Sequence, residues 1–289
     1  MKFSETTTRV LVAAVGIPVG VSVVFLGGWS LAALLMLVAV LAALEFFRFA
    51  ERNDVRPLKV LGAVLAALFV LLAALDPSRG PEGAGFATLL TLAVLGTAVV
   101  GIWTRGVDGQ PLLAFSTTIS GAVYTGALLS FGLFLRHLPG NTGSVHGTAL
   151  LLAPVVLTWA SDTCAYFAGR RWGTRKLIPS VSPGKTVQGA IGAVVGTVAA
   201  AIAYRYVLEP FPTYRLGLLE AVVLGLLISV AAQLGDLAES LFKRDAGMKD
   251  SGALLPGHGG ALDRFDSLLF TLPLGYFFFR YLVGVPRPF

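Results

Sequence analysis

Apolar residues run along this chain in long blocks rather than in alternation. Nine blocks stand out, at roughly 10–28, 29–47, 58–75, 86–103, 112–135, 147–168, 187–208, 216–238 and 266–283. Each comes close to the ~20 residues that carry an α-helix across a bilayer core. No long stretch alternates with period two, which argues against a β-barrel. The separators carry turn chemistry: Asp76-Pro77-Ser78-Arg79-Gly80-Pro81, Gly109-Gln110-Pro111, Pro139-Gly140-Asn141 and Glu209-Pro210-Phe211-Pro212. Only Gly27-Gly28-Trp29 joins the first two blocks, which predicts a tight helical hairpin. The first block is read as a span rather than a cleaved leader. Its flank is weakly basic (Lys2, Arg9), and no small-residue cleavage site follows it. The pattern thus predicts an all-α, polytopic integral membrane protein with about nine transmembrane helices. It is taken in two parts: residues 1–140 with spans 1 to 5, and 141–289 with spans 6 to 9 and two polar loops.

Charge played no part in that division, and it orients the chain. With nine crossings the separators alternate between two sides. Of the 22 Lys and Arg residues, sixteen fall on the N-terminal side and six on the other. Loops rich in Lys and Arg stay cytoplasmic, so the N-terminus is expected in the cytoplasm and the C-terminus outside. A count of eight or ten spans would put the later basic loops on the wrong side. The expected location is the inner (plasma) membrane of the cell. No internal repeat is visible, which weakens an inverted-repeat transporter reading.

Composition agrees with a lipid solvent. Hydrophobic residues make up 55% of the 289 residues and charged residues 13%, about half of what a soluble domain carries. Mean hydropathy is +0.79. Cys164 is the only cysteine, which excludes a disulfide scaffold. With only His137, His146 and His258 to help it, a Cys/His zinc site is not expected. The net charge of +6 reads as an orientation signal, and no nucleic-acid partner is expected.

Two separators on the basic side are unlike the rest. One runs from Ser161-Asp162 through Gly169-Arg170-Arg171 to Ser182-Pro183-Gly184-Lys185-Thr186; the other runs from Gln233-Leu234-Gly235-Asp236 to Asp263-Arg264-Phe265-Asp266. Residues 161–188 and 236–266 hold 16 of the 38 charged residues, so the chemistry is sought there. Asp162 and Asp236 lie near the ends of apolar blocks, where a carboxylate needs a partner or a wet cavity. The second segment mixes Asp236, Glu239, Asp245, Asp250, Asp263 and Asp266 with Lys243, Arg244, Lys249, Arg264 and His258. Carboxylates hold a hard cation, and Lys and Arg neutralise phosphate oxygens. Gly259 and Gly260 would permit close backbone approach. Asp263 and Asp266 share a face if a helix begins there. Ser182, Lys185 and Thr186 precede a helix, where an anion can be held. Glu45 and Glu220 have no polar neighbours in sequence, so each is read as a carboxylate reaching back to water.

Three short motifs fail. A Walker A loop needs glycine where Pro179 stands, and a dinucleotide fingerprint needs glycine where Leu262 stands. Ser182 and Lys185 fit S-x-x-K without its Ser-Asp-Asn partner. A longer match exists. The stretch from Ser240 to Asp266, with Lys243-Arg244, Lys249-Asp250, Pro256-Gly257-His258-Gly259-Gly260 and Asp263-Arg264-Phe265-Asp266, resembles the signature of phosphatidate cytidylyltransferases (CDP-diacylglycerol synthases). Asp162 to Tyr166, Gly169-Arg170 and Ser182 to Thr186 resemble further elements of that family. The likeness covers about 160–270. Gln188 departs from it, standing where the family pattern has an acid.

The resemblance implies conversion of CTP and phosphatidate to CDP-diacylglycerol and pyrophosphate with Mg2+, as one or two ions; a monovalent cation such as K+ is also allowed. It implies Asp236 and Asp263 as metal ligands, with Asp162 and Asp266 as second choices near the metal. Lys243, Arg244, Lys249 and Arg264 would meet phosphates. Ser182, Lys185, Thr186, Asp162, Arg170, Gly259 and Gly260 would line the substrate site, and His258 would orient the loop or a phosphate. The partners expected are CTP and phosphatidate in the bilayer, with a homodimer allowed and the site facing the cytoplasm. A related enzyme acting on another phosphorylated lipid is the nearest rival. A cation or phosphate transporter is the rival from another class, but spans 1 to 5 hold few polar residues.

Overall fold

The computed structural model describes residues 5–138, 143–252 and 259–283. In chain order the helices are α1 (Glu5–Leu26), α2 (Gly28–Arg52), α3 (Lys59–Leu75), α4 (Ala84–Thr104), α5 (Pro111–Ala122), α6 (Leu128–Arg136), α7 (Ser144–Trp172), α8 (Val187–Leu208), α9 (Leu218–Asp245) and α10 (Leu262–Phe277). A π-helical turn at Val123–Ala127 joins α5 to α6, and another at Phe278–Leu282 continues α10. Each of the nine apolar blocks therefore falls on a helix or a continuous helical pair. By length and composition, six stretches among the described residues suffice to cross a bilayer: Gly28–Arg52, Ala84–Thr104, Pro111–Arg136, Ser144–Trp172, Val187–Leu208 and Leu218–Asp245. At 17 residues, α3 is apolar but shorter than the ~20 that a full crossing needs. The protein is thus a multi-span membrane protein.

Three local features depart from the sequence reading. The all-α expectation omits an antiparallel hairpin, β1 (Lys176–Ile178) and β2 (Ser182–Thr186), paired Lys176↔Thr186 and Ile178↔Ser182. Its strands are too short to give a period-two signal. The polar separators are also largely helical. Asp162 and Arg170 lie within α7, and Asp236, Glu239, Lys243 and Arg244 within α9. Helix continues beyond the apolar block wherever side chains can turn toward water, so the drop in hydropathy ends the block before the helix ends. Third, a single residue separates α1 from α2. Gly27 and Gly28 both take positive φ, 62° and 49°, a conformation glycine adopts without Cβ strain.

The chain divides into two compact units, Met1–Leu133 with Phe242–Phe265, and Phe134–Leu241 with Asp266–Phe289. In the first, Leu65, Phe69, Leu89, Ala93, Ala122 and Ala127 form a core cluster. The Phe47 ring is fully buried against Gly62 and Gly121, where any Cβ would collide with it. In the second, α7 and α8 pack through small residues. A Cβ on Gly192 would meet Ala168, one on Gly196 would meet Cys164, and one on Gly189 would sit 3.0 Å from the Ala165 carbonyl oxygen. Helices in lipid gain by such close backbone approach because no hydrophobic drive separates helix from tail.

Candidate active site

In the second unit, the end of α7, the β1–β2 hairpin, the start of α8 and α9 enclose a cavity of about 670 Å3. It falls within the ~300–1,000 Å3 range of ligand sites. Asp162, Arg170, Lys185, Thr186, Gln233 and Asp236 line it. Thr186 starts α8, its Oγ1 accepting from the Gly189 amide at 3.1 Å. That cap fixes Lys185 one residue earlier on β2. Its Nζ lies 2.8 Å from Asp236 Oδ2, and the Ser240 hydroxyl donates to Asp236 Oδ1 at 3.3 Å. Arg170 donates to the Tyr166 hydroxyl at 2.9 Å. The expected set Asp162, Arg170, Lys185, Thr186 and Asp236 is thus brought to one cavity. Ser182 lies on the same strand as Lys185. Gln233 and Tyr166 also line the cavity; both lie in the segments singled out in the sequence, where neither is assigned a role.

Gln188 has a structural task that the expected acid would share. Its Oε1 accepts from the Thr174 amide at 3.1 Å and the Arg175 amide at 3.3 Å. Its Nε2 donates to Thr174 Oγ1 at 2.7 Å. The side chain therefore ties the approach to β1 onto α8.

In the first unit, Asp263 sits in the first turn of α10 and has donors on both carboxylate oxygens. Its Oδ1 takes Lys243 Nζ at 2.8 Å. Its Oδ2 accepts from the Ser251 amide at 2.9 Å, the Ser251 hydroxyl at 2.9 Å and the Gly260 amide at 2.8 Å. Gly259, at φ 77°, presses so close that a Cβ there would lie 2.6 Å from Asp263 Oδ2. Gly259 and Gly260 thus make their close backbone approach to carboxylates of this chain. Lys243 is held because α9 ends there cleanly. Gly247 takes φ 63°, the Met248 amide donates to the Lys243 carbonyl at 2.7 Å, and the Gly247 amide donates to that of Arg244 at 3.1 Å. Arg244, Lys249 and Arg264 are exposed, and Asp266 is half-buried in the second unit. His258 lies outside the described residues.

The reading of Glu45 as a carboxylate reaching back to water is overturned. Glu45 is 2% exposed. Its Oε2 accepts from the Ser251 hydroxyl at 2.8 Å and the Leu262 amide at 2.8 Å, and its Oε1 accepts from the Ala261 amide at 3.0 Å. Its partners lie more than 200 residues along the chain, beyond the reach of any local pattern. A carboxylate within an apolar block was the available signal.

Among the described residues, no three His, Cys, Asp or Glu side chains group as a ready-made metal cage. The donors on hand are oxygens, which suit a hard cation. Mg2+ usually keeps several waters and substrate phosphates in its shell and takes only one or two protein carboxylates. The residues present fit that mode of binding.

Cationic and carboxylate side chains around a cavity, among apolar helices long enough to span a bilayer, define a membrane protein with a polar site. Residues 7–282 match the model of the cytidylyltransferase family, and the chain belongs to that family. A phosphatidate cytidylyltransferase of Synechocystis is 32% identical over 300 residues, covering 96% of this chain and 98% of the relative. One from Haemophilus influenzae is 38% identical over 196 residues, 68% of this chain and 65% of the relative. One from Bacillus subtilis is 41% identical over 157 residues, 54% and 55% of the two chains.

Proposed function

We propose that this protein is a CTP:phosphatidate cytidylyltransferase, converting CTP and phosphatidate to CDP-diacylglycerol and pyrophosphate. The observation that carries this reading is the cavity in which Lys185 faces Asp236, in a chain of the cytidylyltransferase family. An oxygen of the phosphatidate phosphate attacks the α-phosphorus of CTP. The new P–O bond forms as the bond to the β-phosphate bridging oxygen breaks, and pyrophosphate leaves. The nucleophile is already ionised at neutral pH, so no strong base is required. The protein's tasks are orientation and charge stabilisation. Lys185, with Ser182 and Thr186 on the same strand, supplies contacts to phosphate oxygens. Lys243, Arg244, Lys249 and Arg264 are the further cations assigned to phosphates. Asp236 and Asp263 are the proposed Mg2+ ligands, with Asp162 and Asp266 as alternates. When bound, Mg2+ supplies charge neutralisation across the phosphates of an in-line displacement.

The reading also assigns nine crossings, a cytoplasmic N-terminus and an active site on the cytoplasmic face of the inner membrane. The distribution of Lys and Arg supports that orientation. CTP then arrives from the cytoplasm and phosphatidate laterally from the bilayer. The test is formation of CDP-diacylglycerol by purified protein in detergent or liposomes, with Mg2+ withdrawn as control. Product from phosphatidate is the expected result. Product only from another phosphorylated lipid would move the assignment to a related enzyme, and flux without CTP turnover would overturn it.

A further inference from the structure

Two carboxylates in apolar helices, Glu45 and Glu220, look alike in sequence, but only Glu45 is buried against the signature segment. It accepts from both stretches that flank residues 253–258: from Ser251 on one side, and from Ala261 and Leu262 on the other. The Ala261 and Leu262 amides belong to the start of α10, whose first N–H groups lack partners within the helix. A carboxylate there satisfies them and meets the positive end of the helix dipole. The fit is close on every side. A Cβ on Gly252 would lie 2.6 Å from Glu45 Oε1, and one on Gly260 would collide with Glu45 and Ser251.

The Ser251 hydroxyl completes the arrangement. It lies 2.8 Å from Glu45 Oε2 and 2.9 Å from Asp263 Oδ2, yet has one proton to donate. Glu45 and Asp263 therefore compete for the same hydrogen. Whatever draws Asp263 toward a cation or a phosphate-bound partner lets Ser251 turn fully to Glu45.

We propose that Glu45 is a positioning residue for the catalytic segment, acting through Ser251 and the α10 N-terminus to set the placement of Asp263. The proposal rests on the cytidylyltransferase reading, in which Asp263 is catalytic. It carries a corollary. The Ala261 and Leu262 amides are taken by Glu45, so the phosphates of CTP are met by side chains rather than by those two amides.

The test compares Glu45→Gln, Glu45→Asp, Ser251→Ala and, as control, Glu220→Gln, in detergent-purified protein with CTP and phosphatidate. Gln at 45 replaces one acceptor by a donor that faces a donor, and Asp is too short to reach both flanks. Glu45→Gln is expected to lower kcat about 100-fold per folded molecule, the scale of a misplacement of ~1 Å, with KM for phosphatidate unchanged. Ser251→Ala is expected to show the same split more weakly, and Glu220→Gln to match wild type. Hydrogen exchange at Ala261 and Leu262 should rise in Glu45→Gln. Wild-type kcat in folded Glu45→Gln would overturn the proposal. So would a loss explained wholly by a smaller folded fraction, because that is the signature of a purely structural residue. If Glu45→Gln fails to fold, Ser251→Ala decides, with the same kcat and KM criteria. Failure of the wild-type protein to make CDP-diacylglycerol would instead overturn the functional reading and is seen before any variant is compared.

Discussion

Lys185 Nζ lies 2.8 Å from Asp236 Oδ2 and ties strand β2 to helix α9. This is a half-sheltered pair rather than a surface one, with side-chain exposures of 25% and 36%. Removing either partner leaves the other charge poorly compensated in the cavity. Lys185→Gln is expected to lower CDP-diacylglycerol formation about 100-fold or more, the usual loss for one charge-stabilising donor. Initial rates at saturating CTP and phosphatidate, corrected for folded protein, provide the measurement. A wild-type rate would remove Lys185 from the phosphate-binding role.

Asp236 and Asp263 should separate in their effects on stability. Both Asn variants are expected to abolish turnover. Asp263 has three donors on Oδ2 alone, so an Asn amide must either point its nitrogen at donors or abandon Lys243. That mismatch is expected to cost about 1–3 kcal/mol, whereas Asp236→Asn gives up one partly exposed ion pair and should cost less. Thermal unfolding in detergent reads one effect and a CTP turnover assay the other. Full activity in both variants would end the metal assignment.

Gln188 tests whether an acid is needed on α8. Glu at this position keeps acceptors for the Thr174 and Arg175 amides, and the Thr174 hydroxyl can reverse its bond to donate. Gln188→Glu is therefore expected to retain activity. Gln188→Ala releases the approach to β1 and should lose about tenfold, the equivalent of one hydrogen bond of ~1.4 kcal/mol. Equal rates in Gln188→Ala and wild type would show that this tether does not position Lys185.

Membrane orientation can be read by labelling. In a Cys164→Ala background, single cysteines at Asp54 and Asp108 are expected to react only with reagent supplied from the cytoplasm. Cysteines at Ser78 and Arg215 should react only from outside. Asp54 and Ser78 on the same side would refute a crossing by α3.

The α7–α8 interface offers a test of packing. Gly196→Ala forces a Cβ against Cys164 and is expected to destabilise by about 1–3 kcal/mol. Adding Cys164→Ala opens space, so the double variant should recover part of the loss. Additive losses in the double-mutant cycle would deny the contact.

Sequence legibility followed the range of the interactions. The helices are readable because each apolar block is a local property of about 20 residues. Lys185 and Asp236 were readable as separate candidates from charges in unusual places. Two features are hidden from the sequence for physical reasons. Glu45 finds its partners at Ser251, Ala261 and Leu262, more than 200 residues away, so nothing in the sequence around it points to them. The β1–β2 hairpin has only three and five residues in its strands, too few to show a period. Helix ends are hidden for a third reason, since α7 and α9 continue as helix through their charged residues.

The hairpin between α7 and α8 also has a bearing on biogenesis. Fourteen residues join two helices whose contacts are close in sequence, and such short-range contacts form early. The α7, β2 and α8 wall of the cavity, with Lys185 placed beside the Thr186 cap, can assemble while α9 is still being synthesised. A nascent chain ending soon after Leu208 should already shield Cys164 from thiol reagents. An equally reactive Cys164 in that chain would mean that the helix pair waits for α9.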